Sequence, residues 1–283
     1  MLILLYAASA WGYVWYPFRL LQEAGIGGAA ASFYTYLIAA IVGCACCWRR
    51  GGADSAGLFS QPRSILWLAL AAGWTNLAYV LAVIDGEVMR VMLLFYLSPL
   101  WTLILAHFWL RERTGPWGMS AIALSLVGAF IMLWQPNAGL PVPQNQAEWL
   151  GLSAGAAFAV SNVLTRRAHE LSLCAKSLAV WIGVVIVSLG FMLAYGIALP
   201  MPAAASWVML LGVGLLLATV TVAVQYGVTH MPATRASVIF LFELIVAALT
   251  SWWLAHEAMS LHEWLGGSLI IVAAFLAARA GDS

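Results

Sequence analysis

Two stretches of this chain read as copies of each other: Arg90-Val91-Met92-Leu93-Leu94-Phe95 and Arg235-Ala236-Ser237-Val238-Ile239-Phe240. The second begins 145 positions after the first (235 minus 90). At the same offset, Arg111-Glu112 matches His256-Glu257. Such an internal repeat bears on the whole architecture, so it is considered before any single helix.

A second match, at an offset of 147 (166 minus 19), pairs Arg19 with Arg166. The chain is therefore predicted to contain a first repeat, residues 1–136, and a second repeat, residues 148–283, joined by a linker at 137–147. In membrane proteins, two related halves most often enclose a transport path.

The composition is that of a membrane protein. Hydrophobic residues make up 64% of the chain and charged residues 8%, whereas an ordinary soluble domain carries about 25% charged residues. A spanning helix needs about 20 mostly apolar residues, and backbone in lipid must satisfy its own hydrogen bonds. The predicted spans are 2–20, 29–48, 64–84, 89–110, 115–134, 148–168, 176–197, 206–229, 234–255 and 263–280.

The cationic side chains orient these spans. With residue 1 inside, ten of the twelve Lys and Arg residues fall on the inner side and only Arg19 and Arg90 on the outer side, as the positive-inside rule requires. Each half has an odd number of spans, so the second half enters the bilayer from the opposite face. The predicted fold class is an all-α integral membrane protein with ten transmembrane helices in two inverted five-helix repeats.

The motifs of both halves resemble those of a known family. The second half carries Tyr226–Ser237 (YGVTHMPATRAS), and the first carries Leu97-Ser98-Pro99-Leu100 followed by Leu110–Arg113 (LRER). Together with Trp11-Gly12, these resemble the tandem repeats of the drug/metabolite transporter superfamily, in its ten-helix EamA-type branch. Over essentially the whole chain, the resemblance is strongest to bacterial exporters of aromatic and other amino acids. It implies a central cavity between the repeats, with the fifth and tenth helices peripheral.

Glu243 is the most informative single residue. It lies near the middle of the ninth span, where an ionised side chain costs about 3 kcal/mol or more without a partner or water. Its repeat counterpart in the fourth span is Ser98 (98 plus 145). One interpretation is a contact for a substrate ammonium or a proton-coupling site; the other is a structural, hydrogen-bonded glutamate.

Helical spacing extends this site to neighbouring spans. Polar groups among aromatic and aliphatic walls suit an amphipathic ligand, and aromatic faces attract ammonium groups. For each residue the alternative is ordinary interior packing. Besides Glu243 and Ser98, the predicted substrate-binding residues are Trp101, Tyr79, Asn76, Gln225, Thr221, Trp11, Trp15 and Asn162.

Pro17 and Pro99 free backbone carbonyls within predicted helices, so they are predicted hinges, with static kinks as the alternative. In the second repeat, Leu244 stands where the first has Pro99. Two stripes of small residues, Gly151-Gly155-Ala159 and Ala121-Ser125-Ala129, are interpreted as helix-packing surfaces.

Other classes of function fit the sequence less well. The pattern Gly151–Gly155 (GLSAG) resembles a nucleophile elbow, but that motif needs a strand-to-helix turn, so no enzyme activity is expected. We expect no cofactor and no metal site, and the four cysteines are expected to stay reduced. All cations fall near helix ends, which disfavours phosphate-bearing substrates such as nucleotide-sugars; a drug carrier and a membrane scaffold remain alternatives.

These observations predict a multi-pass protein of a bacterial inner membrane with both termini cytoplasmic. It would export amino acids, aromatic and other neutral ones, or similar small metabolites by alternating access. The expected partners are a small-molecule substrate and the lipid bilayer, without nucleic acid, and the expected state is a monomer.

Overall fold

The computed structural model describes residues 1–49, 61–86, 88–134, 143–254 and 261–279, and these form an all-helical bundle. Two of the helical spans, the fourth and the ninth, are interrupted, and the two segments of each are labelled a and b. The helices are α1 (Leu2–Glu23), α2 (Gly28–Arg49), α3 (Pro62–Asp85), α4a (Val88–Phe95), α4b (Ser98–Leu105, continued by a π-helical turn over Ala106–Leu110), α5 (Pro116–Leu133), α6 (Gln146–Arg167), α7 (Leu173–Ala194), α8 (Ala204–His230), α9a (Ala233–Phe240), α9b (Phe242–Leu254) and α10 (Leu261–Arg279).

Within the described residues, six helical stretches are long and apolar enough to cross a membrane. Residues 116–131 and 264–277 form shorter apolar helices, in α5 and α10. The six stretches are Gly28–Trp48, Pro62–Val83, Val91–Leu110, Leu173–Ala194, Ala204–His230 and Ala233–Leu254.

The start of α6 is specified locally. Asn145 is the N-cap residue and its side chain accepts a hydrogen bond from the Glu148 N–H, while the Glu148 carboxylate accepts bonds from the Asn145 side chain and the Gln144 N–H. Asn145 thereby satisfies one of the N–H groups that the first turn of a helix leaves without intrahelical partners, and Glu148 in turn binds the two residues that precede the helix. It also accounts for Glu148 being buried.

The fourth and ninth helical spans are both interrupted, at positions that correspond in the two repeats. The first break falls at Tyr96 and Leu97, and the second at Leu241, which is the counterpart of Tyr96 (96 plus 145). At both breaks a backbone hydrogen bond spans three residues instead of the four of an α-helix. The Leu97 N–H donates to the Leu94 carbonyl, and the Leu241 N–H donates to the Val238 carbonyl. The sequence predicted continuous spans over 89–110 and 234–255, so it missed both interruptions.

Several helix contacts recur when the helices of the first half are exchanged for those of the second. Helix α3 packs on α6 and α7, and its counterpart α8 packs on α1 and α2. Likewise α4 packs on α6, and α9 packs on α1. Two helices contact their own repeat counterparts: α2 packs on α7, and α5 packs on α10. The breaks in α4 and α9 share one apolar core, to which Tyr96, Leu241 and Leu244 all contribute.

Glycines allow the backbones to approach closely where the halves meet. A Cβ at Gly155 would collide with the backbone of Phe95, and one at Gly151 would lie 3.0 Å from the Val91 side chain. On the other side of the bundle, a Cβ at Gly12 would lie 2.7 Å from the carbonyl oxygen of Glu243. Gly151 and Gly155 thus act as the packing surface predicted for them.

One cysteine interpretation was wrong. Cys47 near the end of α2 and Cys174 at the start of α7 form a disulfide with their Cα atoms 6.2 Å apart, while Cys44 and Cys46 are free. No local pattern indicated this pair, because the two residues are 127 positions apart in the chain. They become neighbours only because α2 packs against α7.

Several sequence features lie outside the described residues. These are Arg50, the greater part of the predicted linker 137–147, and the dipeptide His256-Glu257.

Candidate substrate site

The centre of the site lies at the two helix breaks. Ser98 is the first residue of α4b, and Glu243 is the second residue of α9b, so the two repeat counterparts both follow an interruption. Ser98 is buried and Glu243 is half-buried. An N-terminal helical turn favours a carboxylate through its dipole, which lowers the cost of an acidic group inside the bundle.

Glu243 interacts with two tyrosines of the first repeat. Tyr96, at the break in α4, is 2% exposed, and its hydroxyl interacts with the Glu243 carboxyl. The geometry falls short of a hydrogen bond, so this buried hydroxyl has no full partner. Tyr79 of α3 also lies within electrostatic range of Glu243. The carboxyl thus faces side chains of the first repeat.

Aromatic rings line this centre. The ring of Phe95 lies 4.9 Å from that of Tyr79, 5.2 Å from that of Tyr96 and 5.6 Å from that of Phe158, measured between centroids. Phe158 in turn lies 5.1 Å from Phe240. A carboxyl, two phenol hydroxyls and several ring faces can bind an organic ammonium group by charge, hydrogen bonding and cation–π attraction.

The predicted amide side chains are buried with incomplete hydrogen bonding. Asn76 donates to the Tyr36 hydroxyl at 3.4 Å, but its Oδ1 has no partner. Asn162 of α6 is buried with its Nδ2 unpartnered. Because a buried polar group usually has a partner, these two atoms are open positions for a ligand or water.

The remaining polar residues predicted for the site lie on α8. Gln225 is buried and accepts a hydrogen bond from the Thr165 hydroxyl at 2.9 Å, which joins α8 to α6. Thr221, one turn earlier on the same helix, is also buried.

The three predicted tryptophans differ in their surroundings. Trp15 donates to the Thr250 hydroxyl of α9b at 3.1 Å, and that hydroxyl donates to the carbonyl of Gly12. Trp11 packs against apolar cores formed with α2, α7 and α8. Trp101 is 37% exposed, in contrast to Ser98 on the same half-helix, so it is not gathered with the buried group around Glu243.

The two predicted hinge prolines occupy different settings. Pro17 is buried within the continuous helix α1. Pro99 lies at the start of α4b, where its missing N–H leaves the carbonyl of Phe95 without its usual helical partner. The break in α9 forms without a proline, since Leu244 stands at that position. Proline therefore accompanies one break but is not required for the other.

Sequence reasoning missed Tyr96, Lys176 and Glu112. Tyr96 could have been found from its place three residues before a proline within an apolar span. Lys176 was counted as an inner-face cation, yet it is 0% exposed and donates to the Thr229 hydroxyl at 2.8 Å. Glu112 was not among the predicted site residues, yet its side chain is only 20% exposed and pairs with Arg166.

An all-helical bundle with spanning apolar helices, two interrupted helices and a half-buried carboxyl next to the interruptions is the architecture of a membrane transporter. The chain belongs to the EamA-like transporter family, within the drug/metabolite transporter superfamily, and matches it twice, over residues 1–134 and 145–279. It is similar to an uncharacterized transporter of Archaeoglobus fulgidus, with 26% identity over 219 residues, which is 77% of each chain. It also shares its fold with a crystal structure at 16% identity and a TM-score of 0.79, covering 100% of this chain and 98% of that one.

Proposed function

We propose that this protein exports amino acids, aromatic and other neutral ones, or similar small metabolites by alternating access through the site around Glu243. The observation that carries the proposal is a carboxyl surrounded by tyrosines and phenylalanines where two interrupted helices meet. An ionisable residue in the interior of a membrane bundle is costly, so such residues are rare and usually have a function.

The proposed architecture is ten transmembrane helices in two inverted five-helix repeats, residues 1–136 and 148–283, with 137–147 as a periplasmic linker. The exchange symmetry of the packing supports two equivalent halves. The odd number of helices in each half and the position of ten cations on one face support the inversion. Binding sites of such transporters lie near the midplane, between the repeats.

The substrate class follows from charge and shape. Glu243 attracts an ammonium and repels a phosphate or sugar phosphate. Arg166 is already engaged by Glu112 and by the Thr229 carbonyl, so it is not free to neutralise a dianion. Ring faces beside the carboxyl favour aromatic and aliphatic side chains. A zwitterion or organic cation therefore fits better than a nucleotide-sugar.

The proposed setting is a bacterial inner membrane with both termini in the cytoplasm, and the proposed working unit is a monomer. Outward direction follows from the resemblance to amino acid exporters. Substrate binding would shift the balance between the two access states only by its difference in affinity for them.

The test is counterflow in proteoliposomes of purified protein. Vesicles loaded with unlabelled phenylalanine, threonine or a nucleotide-sugar are diluted into the labelled form of the same compound. We expect accumulation of labelled phenylalanine, and of threonine to a smaller extent, above protein-free vesicles. Accumulation of the nucleotide-sugar alone would refute the substrate class, and the absence of any counterflow with these compounds would refute the proposal for them.

A further inference from the structure

A compact polar network ties the two halves together where α8 ends and α9a begins. The carboxylate of Glu112, in the loop between α4 and α5, is 3.2 Å from the Nε of Arg166 on α6 through its Oε1. Its other oxygen, Oε2, accepts a hydrogen bond from the Ala233 N–H at 3.2 Å. One first-repeat carboxylate thus holds two elements of the second repeat.

The second part of the network holds the end of α8. Arg166 Nη1 donates to the carbonyl of Thr229, and Lys176 Nζ donates to the Thr229 hydroxyl at 2.8 Å. Cations favour the C-terminal end of a helix and anions its N-terminal end. The helix dipoles are therefore matched at both places. Two cations, Arg166 and Lys176, contact the C-terminal end of α8, and one anion, Glu112, contacts the N-terminal end of α9a.

Glu112 also balances charge within the network. Lys176 and Arg166 converge on Thr229 and repel each other electrostatically. The Glu112 carboxylate offsets this repulsion at a site with little access to water, since its side chain is 20% exposed and that of Arg166 31% exposed. Removing one partner of such a partly buried pair costs more than at the surface, because the remaining charge is left uncompensated.

The repeat counterpart of Arg166 is in a different situation. Arg19 pairs with Glu23 four residues later on the same helix, at 3.4 Å, with both side chains 62% exposed. This ion pair joins no two helices. Among the described residues, the same repeat position therefore joins the halves through Arg166 and Glu112, whereas the ion pair of Arg19 stays within α1.

We propose that Glu112, Arg166, Lys176 and Thr229 form a latch that keeps the inner face of the transport path closed. This inference rests on the proposed alternating-access function. Separating the two halves at the inner face would require Arg166 and the start of α9a to leave Glu112, so the latch controls which access state is populated.

The latch is connected to the substrate site by hydrogen bonds. The Thr229 hydroxyl donates to the carbonyl of Gln225, and the Gln225 side chain accepts from Thr165. Gln225 is one of the predicted substrate-binding residues, one helical turn from Thr221. A ligand that displaces Gln225 would therefore also displace Thr229, to which Lys176 and Arg166 donate.

The test measures accessibility rather than transport. A cysteine replaces Ser161, a buried residue one turn from Thr165 on α6, in a background with the native cysteines changed to serine. A membrane-impermeant maleimide is applied to inside-out vesicles. Glu112→Gln is expected to raise the labelling rate about tenfold, because the variant loses the charge that holds Arg166. Arg19→Gln is the matched control and is expected to leave the rate unchanged.

A double variant separates the latch from general loosening of the fold. If Glu112 and Arg166 act together, Glu112→Gln/Arg166→Gln labels about as fast as either single variant rather than at the product of their effects. Additive effects, an unchanged rate in Glu112→Gln, or an equal increase in Arg19→Gln would each overturn the latch. A faster rate in right-side-out vesicles instead would overturn its assignment to the inner face.

The same vesicles distinguish this inference from the proposed substrate. If the labelling responds as expected but no amino acid counterflow occurs, the latch stands and the substrate class fails. If counterflow occurs but Glu112→Gln leaves the labelling rate unchanged, the proposed function stands and the latch is refuted.

Discussion

The carboxyl of Glu243 faces the hydroxyl of Tyr96. Tyr96 lies at the break in α4 and Glu243 just after the break in α9, so each repeat contributes one member of the pair. The pair spans the contact between the halves at the point where both main chains depart from regular helix. A relative movement of the halves would change the distance between these two groups. This places the chemistry of the candidate site at the surface that alternating access would rearrange.

Replacing Glu243 tests the charge at the centre of the site. Glu243→Gln keeps the shape of the side chain but removes the negative charge, so counterflow of amino acids should fall at least about tenfold, because charge-assisted contacts are worth roughly 1.5–3 kcal/mol. Protonation of the carboxyl removes the same charge, so transport by the unaltered protein should decline as the medium is acidified from about pH 8 to about pH 5. Equal pH profiles for the two proteins would exclude a titrating role.

Tyr96→Phe removes the hydroxyl that faces Glu243 and keeps the ring that packs on Phe95. We expect KM for amino acids to rise by roughly 2- to 10-fold, the range for loss of one neutral hydrogen bond. Tyr34→Phe is the matched control, because Tyr34 is also buried but donates to the carbonyl of Pro200, away from the site. An equal change in both variants would mean that Tyr96 has only a structural role.

Gly155→Ala tests the close contact between α6 and α4a. Its new Cβ would meet the backbone of Phe95, so the protein should lose about 1–3 kcal/mol of stability, measured as a lower Tm in detergent. Gly212→Ala is the control. A Cβ there meets nothing within 4 Å, and alanine favours a helix over glycine by roughly 0.5–1 kcal/mol. A drop in Tm of the same size at both positions would contradict this packing.

The orientation can be tested with single cysteines in the two loops that flank α7. Glu170→Cys and Met201→Cys are both at exposed positions, with Met201 94% exposed. With the native cysteines changed to serine, an impermeant label should reach residue 201 in intact spheroplasts and residue 170 only after the membrane is opened. Labelling in the reverse order would turn the proposed topology upside down.

Much of the architecture could be predicted from the sequence. The repeat at offset 145, the apolar spans and Glu243 with its counterpart Ser98 are all visible in the residues themselves. The breaks were missed because nothing at Leu241 interrupts the apolar run; the irregular turn depends on packing against other helices. Trp101 was assigned to the site by helical spacing, which cannot tell a surface facing the bundle from one that is 37% exposed.

By itself the sequence determined the family, the helical class and the two-part construction, because hydropathy, repeat spacing and short motifs are properties of neighbouring residues. Only the tertiary structure decided that Tyr96 meets Glu243, that Cys47 meets Cys174, and that Glu112 bonds to both Arg166 and Ala233. Each of these pairs brings together residues far apart in the chain. Their contact depends on which helix faces pack together, and that choice is made by the energy of the whole bundle rather than by any local pattern.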